Sequence, residues 1–216
     1  MKLNVDRKRG AIVLCGGKSS RMGQDKATLP FGPELMLQRV VRILSQIIDP
    51  AHVIVVAASE QTLPELPSQV IVTRDERPNR GPLEGIAAGL RSMPNCVEAV
   101  YATSCDVPLM IPEFVLTMFE RLGNSDIAVP YDGQHHHPLA AVYRPRVLAV
   151  IESLLASDRL RPRFLFDQVA TTEVPDEELH AVDPTLSTLM NLNHPEDYQA
   201  ALDLAFPSGR KSGRGG

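Results

Sequence analysis

Apolar residues follow two rhythms along this chain of 216 residues. Short continuous runs of β-branched and small apolar residues occupy 11–15 (AIVLC), 52–58 (HVIVVAA), 69–73 (QVIVT), 98–104 (EAVYATS) and 126–130 (DIAVP). Runs of this length without polar alternation suit strands covered on both faces. Between them, apolar positions recur at helical spacing. One set is Leu37, Val40, Val41, Leu44 and Ile48; a second is Leu83, Ile86, Ala87 and Leu90; a third is Phe114, Val115, Met118, Phe119 and Leu122. Strand–helix alternation of this kind predicts βαβ crossovers and an open, mostly parallel α/β sheet.

The second half is less regular. Residues 135–144 (HHHPLAAVYR) read as a strand with a polar entrance, and 145–157 as a helix with Pro145 at its start, where the missing N–H costs nothing. A short helix is predicted at 161–169. A final helix is predicted to begin at Pro195, with acidic residues in its first turn. Residues 1–9 read as a flexible N-terminus, 10–205 as one domain, and the Gly/Ser/Arg-rich stretch 206–216 as a disordered tail.

Composition narrows the function classes. A 44% hydrophobic chain of this length supports one sizeable core. A formal charge of −4 and a pI near 5.9 argue against broad binding to nucleic acid or a membrane surface. No apolar run is long enough to span a bilayer, and 11–15 is too short for a secretory leader, so the chain reads as cytoplasmic. Cys15, Cys96 and Cys105 have no metal-ligand spacing and read as reduced thiols.

The chemistry concentrates where strands end. The first run stops at Gly16-Gly17 and is followed by Lys18, Arg21 and Lys26. Ligands of open α/β sheets bind beyond the carboxyl ends of the strands. Two glycines there let a backbone approach an anion, and Arg21 and Lys26 supply charge-assisted donors. Neither the P-loop spacing nor G-x-G-x-x-G is present. Composition alone leaves two readings open, a polyphosphate cradle or a solvated turn. Asp75 and Asp106 likewise follow the third and fourth runs. Each reads either as a cap or turn residue or as a carboxylate for a divalent cation on phosphates. Neighbouring residues of a strand face opposite ways, so only His135 and His137 of the histidine triplet can converge; they read as solvated or substrate-facing.

The stretch LCGGKSSRMGQDK (14–26) resembles L-x-G-G-x-S-x-R-M-G-x-D-K, the signature of nucleotidyltransferases on a Rossmann-like sheet, and above all of the molybdenum cofactor guanylyltransferases. Cys15 stands where that family usually has Ala. GPLEG (81–85), CDVP (105–108), HP (137–138) and NLNHPED (191–197) resemble further segments of the same family. The resemblance implies a single-domain, three-layer Rossmann-like α/β fold with a mostly parallel central sheet. It implies transfer of GMP from GTP to the terminal phosphate of molybdopterin, with pyrophosphate leaving and Mg²⁺ as cofactor. Leu14, Cys15, Gly16, Gly17, Asp75 and Gly81 would contact the nucleotide, and Arg21 and Lys26 its phosphates. Asp106 would hold the metal. Asn191, Asn193 and Arg161 would lie on the acceptor side. The partners implied are GTP and molybdopterin, with molybdoenzyme apoproteins or other cofactor-biosynthesis proteins beyond them, for a monomer or weak oligomer. Residues 57–59 (Ala-Ala-Ser) offer no base-reading side chain, so a cytidylyltransferase, a different phosphorylated acceptor and a non-catalytic cofactor carrier remain alternatives.

Overall fold

A computed structural model describes residues 8–16, 25–75, 77 and 80–207. The strands are β1 Arg9–Leu14, β2 Pro30–Phe31, β3 Glu34–Leu35, β4 Val53–Ala58, β5 Ile71–Asp75, β6 Ala99–Ser104, β7 Ile127–Tyr131, β8 Ala141–Tyr143 and β9 Thr171–Pro175. The helices are α1 Met36–Leu44, α2 Pro82–Arg91, α3 Pro112–Arg121, α4 Leu148–Ala156, α5 Arg163–Phe166, α6 Asp176–Leu179 and α7 Pro195–Ala205. Seven strands form one sheet in the order β5-β4-β1-β6-β8-β7-β9. Only β8 runs antiparallel to its neighbours, so the mostly parallel α/β sheet expected from the apolar rhythm is present.

The sheet is buried from both sides, which explains the unbroken apolar runs. Ala11 and Val13 of β1 face α1 and α3, in a core with Leu37, Val40, Leu44, Phe114 and Met118. Ile12 turns the other way, toward α2 and α4, with Leu83, Ile86, Ile151 and Leu154. Helix α2 lies unusually close to β1. A Cβ at Gly89 would sit 2.6 Å from Ile12 Cγ1, and one at Gly85 would sit 2.9 Å from Leu14 Cδ2. Two glycines one turn apart thus bring the N-terminus of α2 down onto the end of β1.

The structure departs from the sequence pattern in four places. Residues 135–144 are not one strand: His136 makes a single bridge to Tyr131, Pro138 opens a 3₁₀ turn, and only 141–143 pair as β8. Proline lacks the N–H that a continuous ladder needs there. Strand β9 (TTEVP) was not legible because it pairs on one side only and buries chiefly Val174. The β2–β3 hairpin comprises two residues per strand around Gly32 at φ +67°. Phe206, expected in the tail, packs against Phe31 with ring centroids 5.6 Å apart.

Candidate active site

One cavity of about 590 Å³ opens at the carboxyl ends of β1, β4, β5 and β6. The parallel register delivers its walls together. Leu14 pairs with Val56 on one side and Ser104 on the other, and Ala58 pairs with Asp75. Whatever follows each strand therefore arrives at one edge. Of the residues singled out in the sequence, Leu14, Cys15, Gly16, Lys26, Asp75, Gly81, Asp106, Asn191 and Asn193 all line this cavity. Gly17 and Arg21 lie outside the described residues.

Lys26 is the hub. Asp25 accepts from the Ala27 N–H at 2.9 Å and opens the 3₁₀ turn 26–28 that carries it. Its ammonium reaches Asp106 Oδ2 at 2.6 Å and Asn193 Oδ1 at 3.0 Å. The Ser104 hydroxyl donates to the second Asp106 oxygen. The 191–193 segment is tied in by the backbone as well, because Leu192 N–H donates to the Asp106 carbonyl at 3.0 Å. Asp183, 2% exposed, fastens the 187–189 turn that precedes that segment by accepting from Ser187 N–H, Ser187 Oγ and Thr188 N–H.

Gly81 adopts φ +74°, a conformation open to glycine, and hands the chain to Pro82 at the first position of α2. Glu84, 3% exposed, lies within 3.4 Å of Arg80, 3.7 Å of Arg91 and 3.9 Å of Arg77 and so fixes this entrance. Asp75 accepts from Arg77 N–H at 2.9 Å.

Cys15 and Cys105 stand on adjacent strands beneath the cavity. The neighbouring Cys105 thiol, and then burial, push the Cys15 thiol well above its ordinary value. It stays protonated at neutral pH and is no nucleophile. The Cys15 backbone is engaged at both ends, its N–H by Val56 O at 2.8 Å and its C=O by Gln61 Nε2 at 3.1 Å.

Arg161 is not brought to this cavity. It is exposed, while Arg159 and Arg163 lie over the Phe164 ring at 4.3 and 5.1 Å. The short α5 turns its apolar residues Leu165 and Phe166 into the core, and the Leu160 carbonyl just before it passes beside Gly81. His135 and His137 do converge, both facing Asp132 Oδ2 at 3.6 and 3.8 Å. His136 faces Glu173 at 2.7 Å instead. None of the three is among the residues that line the cavity. Gln61 and Ser104 escaped the sequence reading: each is a common polar residue whose importance lies in a partner distant in the chain or hidden in a strand end.

Known proteins match this chain over most of its length. Residues 11–172 match the MobA-like NTP transferase domain. This chain belongs to that family. A relative from Mycobacterium avium, described as a probable molybdenum cofactor guanylyltransferase, is 37% identical over 195 residues, covering 88% of this chain and 92% of the relative. A relative of the same description from Pelotomaculum thermopropionicum is 33% identical over 196 residues, covering 90% and 92%. The crystal structure of molybdopterin-guanine dinucleotide biosynthesis protein A from Archaeoglobus fulgidus superposes with a TM-score of 0.75 at 19% identity, covering 93% of this chain and 100% of that one. That last likeness concerns the fold of this MobA-like chain, and the two relatives carry the family. No helix among the described residues is long and apolar enough to cross a membrane.

Proposed function

We propose that this MobA-like protein transfers GMP from GTP to the terminal phosphate of molybdopterin, releasing pyrophosphate. The observation that carries the reading is the Lys26–Asp106–Asn193 constellation, set in one cavity with the Gly16 turn and Gly81. Phosphoryl-group transfer demands positioning and charge neutralisation rather than covalent catalysis. The cavity suits that demand, with a cation in Lys26, carboxylates in Asp25, Asp75 and Asp106, and amides in Asn191 and Asn193. The Lys26 ammonium would draw charge from the triphosphate, and Gly16 leaves room for it. A Cβ at Gly16 would meet only Ala58 N at 3.6 Å, so the fold does not itself require glycine there.

The donor set also suits Mg²⁺. Asp106 and the amide oxygens of Asn191 and Asn193 are hard oxygen ligands in one wall. Among the described residues no group of three or more His, Cys, Asp or Glu could hold an ion by itself. Asp106, helped by the asparagines, would therefore hold the ion jointly with substrate oxygens. When bound, such an ion neutralises developing charge on phosphate oxygens.

Radiolabelled GTP incubated with molybdopterin and Mg²⁺ tests the reaction, with labelled dinucleotide expected. Calorimetry comparing GTP with CTP tests the base, because Ala58 and Ser59 present little to read it. Tighter CTP binding would overturn the guanylyl assignment, and no pyrophosphate release with any nucleotide would overturn catalysis.

A further inference from the structure

Gln61 follows β4 and spans the gap between that strand end and the turn carrying Lys26. Its side-chain oxygen accepts from the Ala58 N–H at 3.1 Å. Its side-chain nitrogen donates to the Cys15 carbonyl at 3.1 Å and to the two Asp25 oxygens at 2.9 and 2.7 Å. Turning the amide over would set its oxygen against a carboxylate and a carbonyl, and its NH₂ against an N–H; chemistry therefore fixes the orientation. Arg74 secures the backbone on either side, donating to Ala58 O and Gln61 O, both at 2.7 Å.

Asp25 is the link onward. The oxygen that Gln61 holds at 2.9 Å also receives the Ala27 N–H that starts the Lys26 turn. Lys26 then reaches Asp106. Ala58, the residue gripped on the other side, and Ser59 next to it line the cavity wall beside β4. A single amide thus joins two walls of the cavity that are otherwise 36 residues apart in the chain.

We infer that Gln61 is a positioning residue for nucleotidyl transfer: its amide locks the β4 wall of the cavity to the Asp25 carboxylate and so sets where Lys26 meets the nucleotide phosphates. The inference rests on the reaction proposed above. It requires an acceptor at one end of the side chain and two donors at the other. Glutamine meets that need; glutamate, equal in size, presents a second carboxylate to Asp25.

The test uses the full chain and three variants. Gln61→Glu keeps the acceptor for Ala58 and repels Asp25. Its kcat/KM for GTP falls about 10²-fold, the scale of a catalytic group displaced by about 1 Å, and its GTP affinity by calorimetry falls about tenfold. The double variant Asp25→Asn/Gln61→Glu restores a donor–acceptor pair of reversed polarity and recovers at least about tenfold in kcat/KM. Melting temperatures of the same variants separate positioning from scaffolding: a positioning role lowers kcat/KM while the melting temperature stays close to that of the wild type, whereas a purely scaffolding role makes the two fall and recover together. Gln61→Met, neutral but unable to donate, covers the case in which the charged variant fails to fold; it loses kcat/KM about tenfold. Wild-type kcat/KM in Gln61→Met, or a double variant no more active than Gln61→Glu, overturns the inference. A wild-type protein that binds GTP without turnover would sink the proposed reaction instead, and the calorimetric series would still decide the role of Gln61.

Discussion

Lys26 Nζ and Asp106 Oδ2 stand 2.6 Å apart, although 80 residues separate them in the chain. Their side chains are 19% and 14% exposed, so the pair is largely withdrawn from water and still faces the cavity. Replacing either should hit turnover far harder than folding. Loss of a single preorganised electrostatic contact costs about 10²–10³-fold in rate, and the stability lost is limited because the remaining partner keeps a hydrogen bond, Lys26 to Asn193 or Asp106 to Ser104. Lys26→Ala and Asp106→Ala are expected to lose at least that factor of 10² in dinucleotide formation. Unimpaired turnover in Asp106→Ala would remove it from the metal-holding role.

Two glycines should behave oppositely. Gly16→Ala meets ordinary van der Waals space, so its melting temperature should stay close to that of the wild type. Its added methyl would enter the space assigned to the nucleotide by the proposed function, and GTP affinity should fall about tenfold or more. Gly89→Ala drives a methyl to within 2.7 Å of three atoms of Ile12, which is fully buried. Overpacking costs about 1–3 kcal/mol and exceeds the roughly 1 kcal/mol gained in helix propensity. Thermal melts and nucleotide titrations of both variants separate the two effects.

Asp183 fastens the 187–189 turn that leads to the asparagine segment, without lining the cavity. Asp183→Ala would leave the N–H groups of Ser187 and Thr188 unpaired, while the Ser187 hydroxyl keeps the Leu109 carbonyl. Each such loss costs about 1–3 kcal/mol when buried, and shared rearrangement makes the total less than additive. A destabilisation of about 2–4 kcal/mol in urea denaturation is expected; a change below about 0.5 kcal/mol would show that the segment is held by its apolar contacts alone.

Acid should loosen the hairpin that follows the Lys26 turn. The Arg42 guanidinium, with Arg39 adding to it, holds the Glu34 carboxyl below its usual range against the opposing effect of burial. A group whose folded pKa is lowered contributes stability above its unfolded value near 4.5, and that stability is lost as pH falls through the folded value. Glu34→Gln should therefore destabilise the protein at neutral pH and flatten the decline in melting temperature below about pH 4.5. Parallel acid titrations of both proteins followed by melting temperature check this.

The sequence by itself determined the sheet and most of the site's ingredients. Uninterrupted runs such as 11–15 and 52–58 are readable because a strand covered on both faces has no polar positions to alternate, and β1 and β4 lie within a residue or two of them. Lys26, Asp75 and Asp106 were legible because the carboxyl ends of parallel strands gather ligand-binding residues at one edge; the 191–193 asparagines were legible only through the resemblance of 191–197 to the family's segment. Other features needed the tertiary structure. Strand β9 pairs on one side only and carries little apolar signal. Arg161 was placed on the acceptor side by the resemblance alone; in the structure it is exposed and is not among the residues that line the cavity. Gln61 is one amide after an apolar run, and nothing local sets it apart from a surface glutamine. Its importance comes from Cys15 and Asp25, 46 and 36 residues away. Periodicity reports which face of an element is buried; it does not report which distant polar partner satisfies a side chain, and that is decided when the β1, β4 and β6 ends meet.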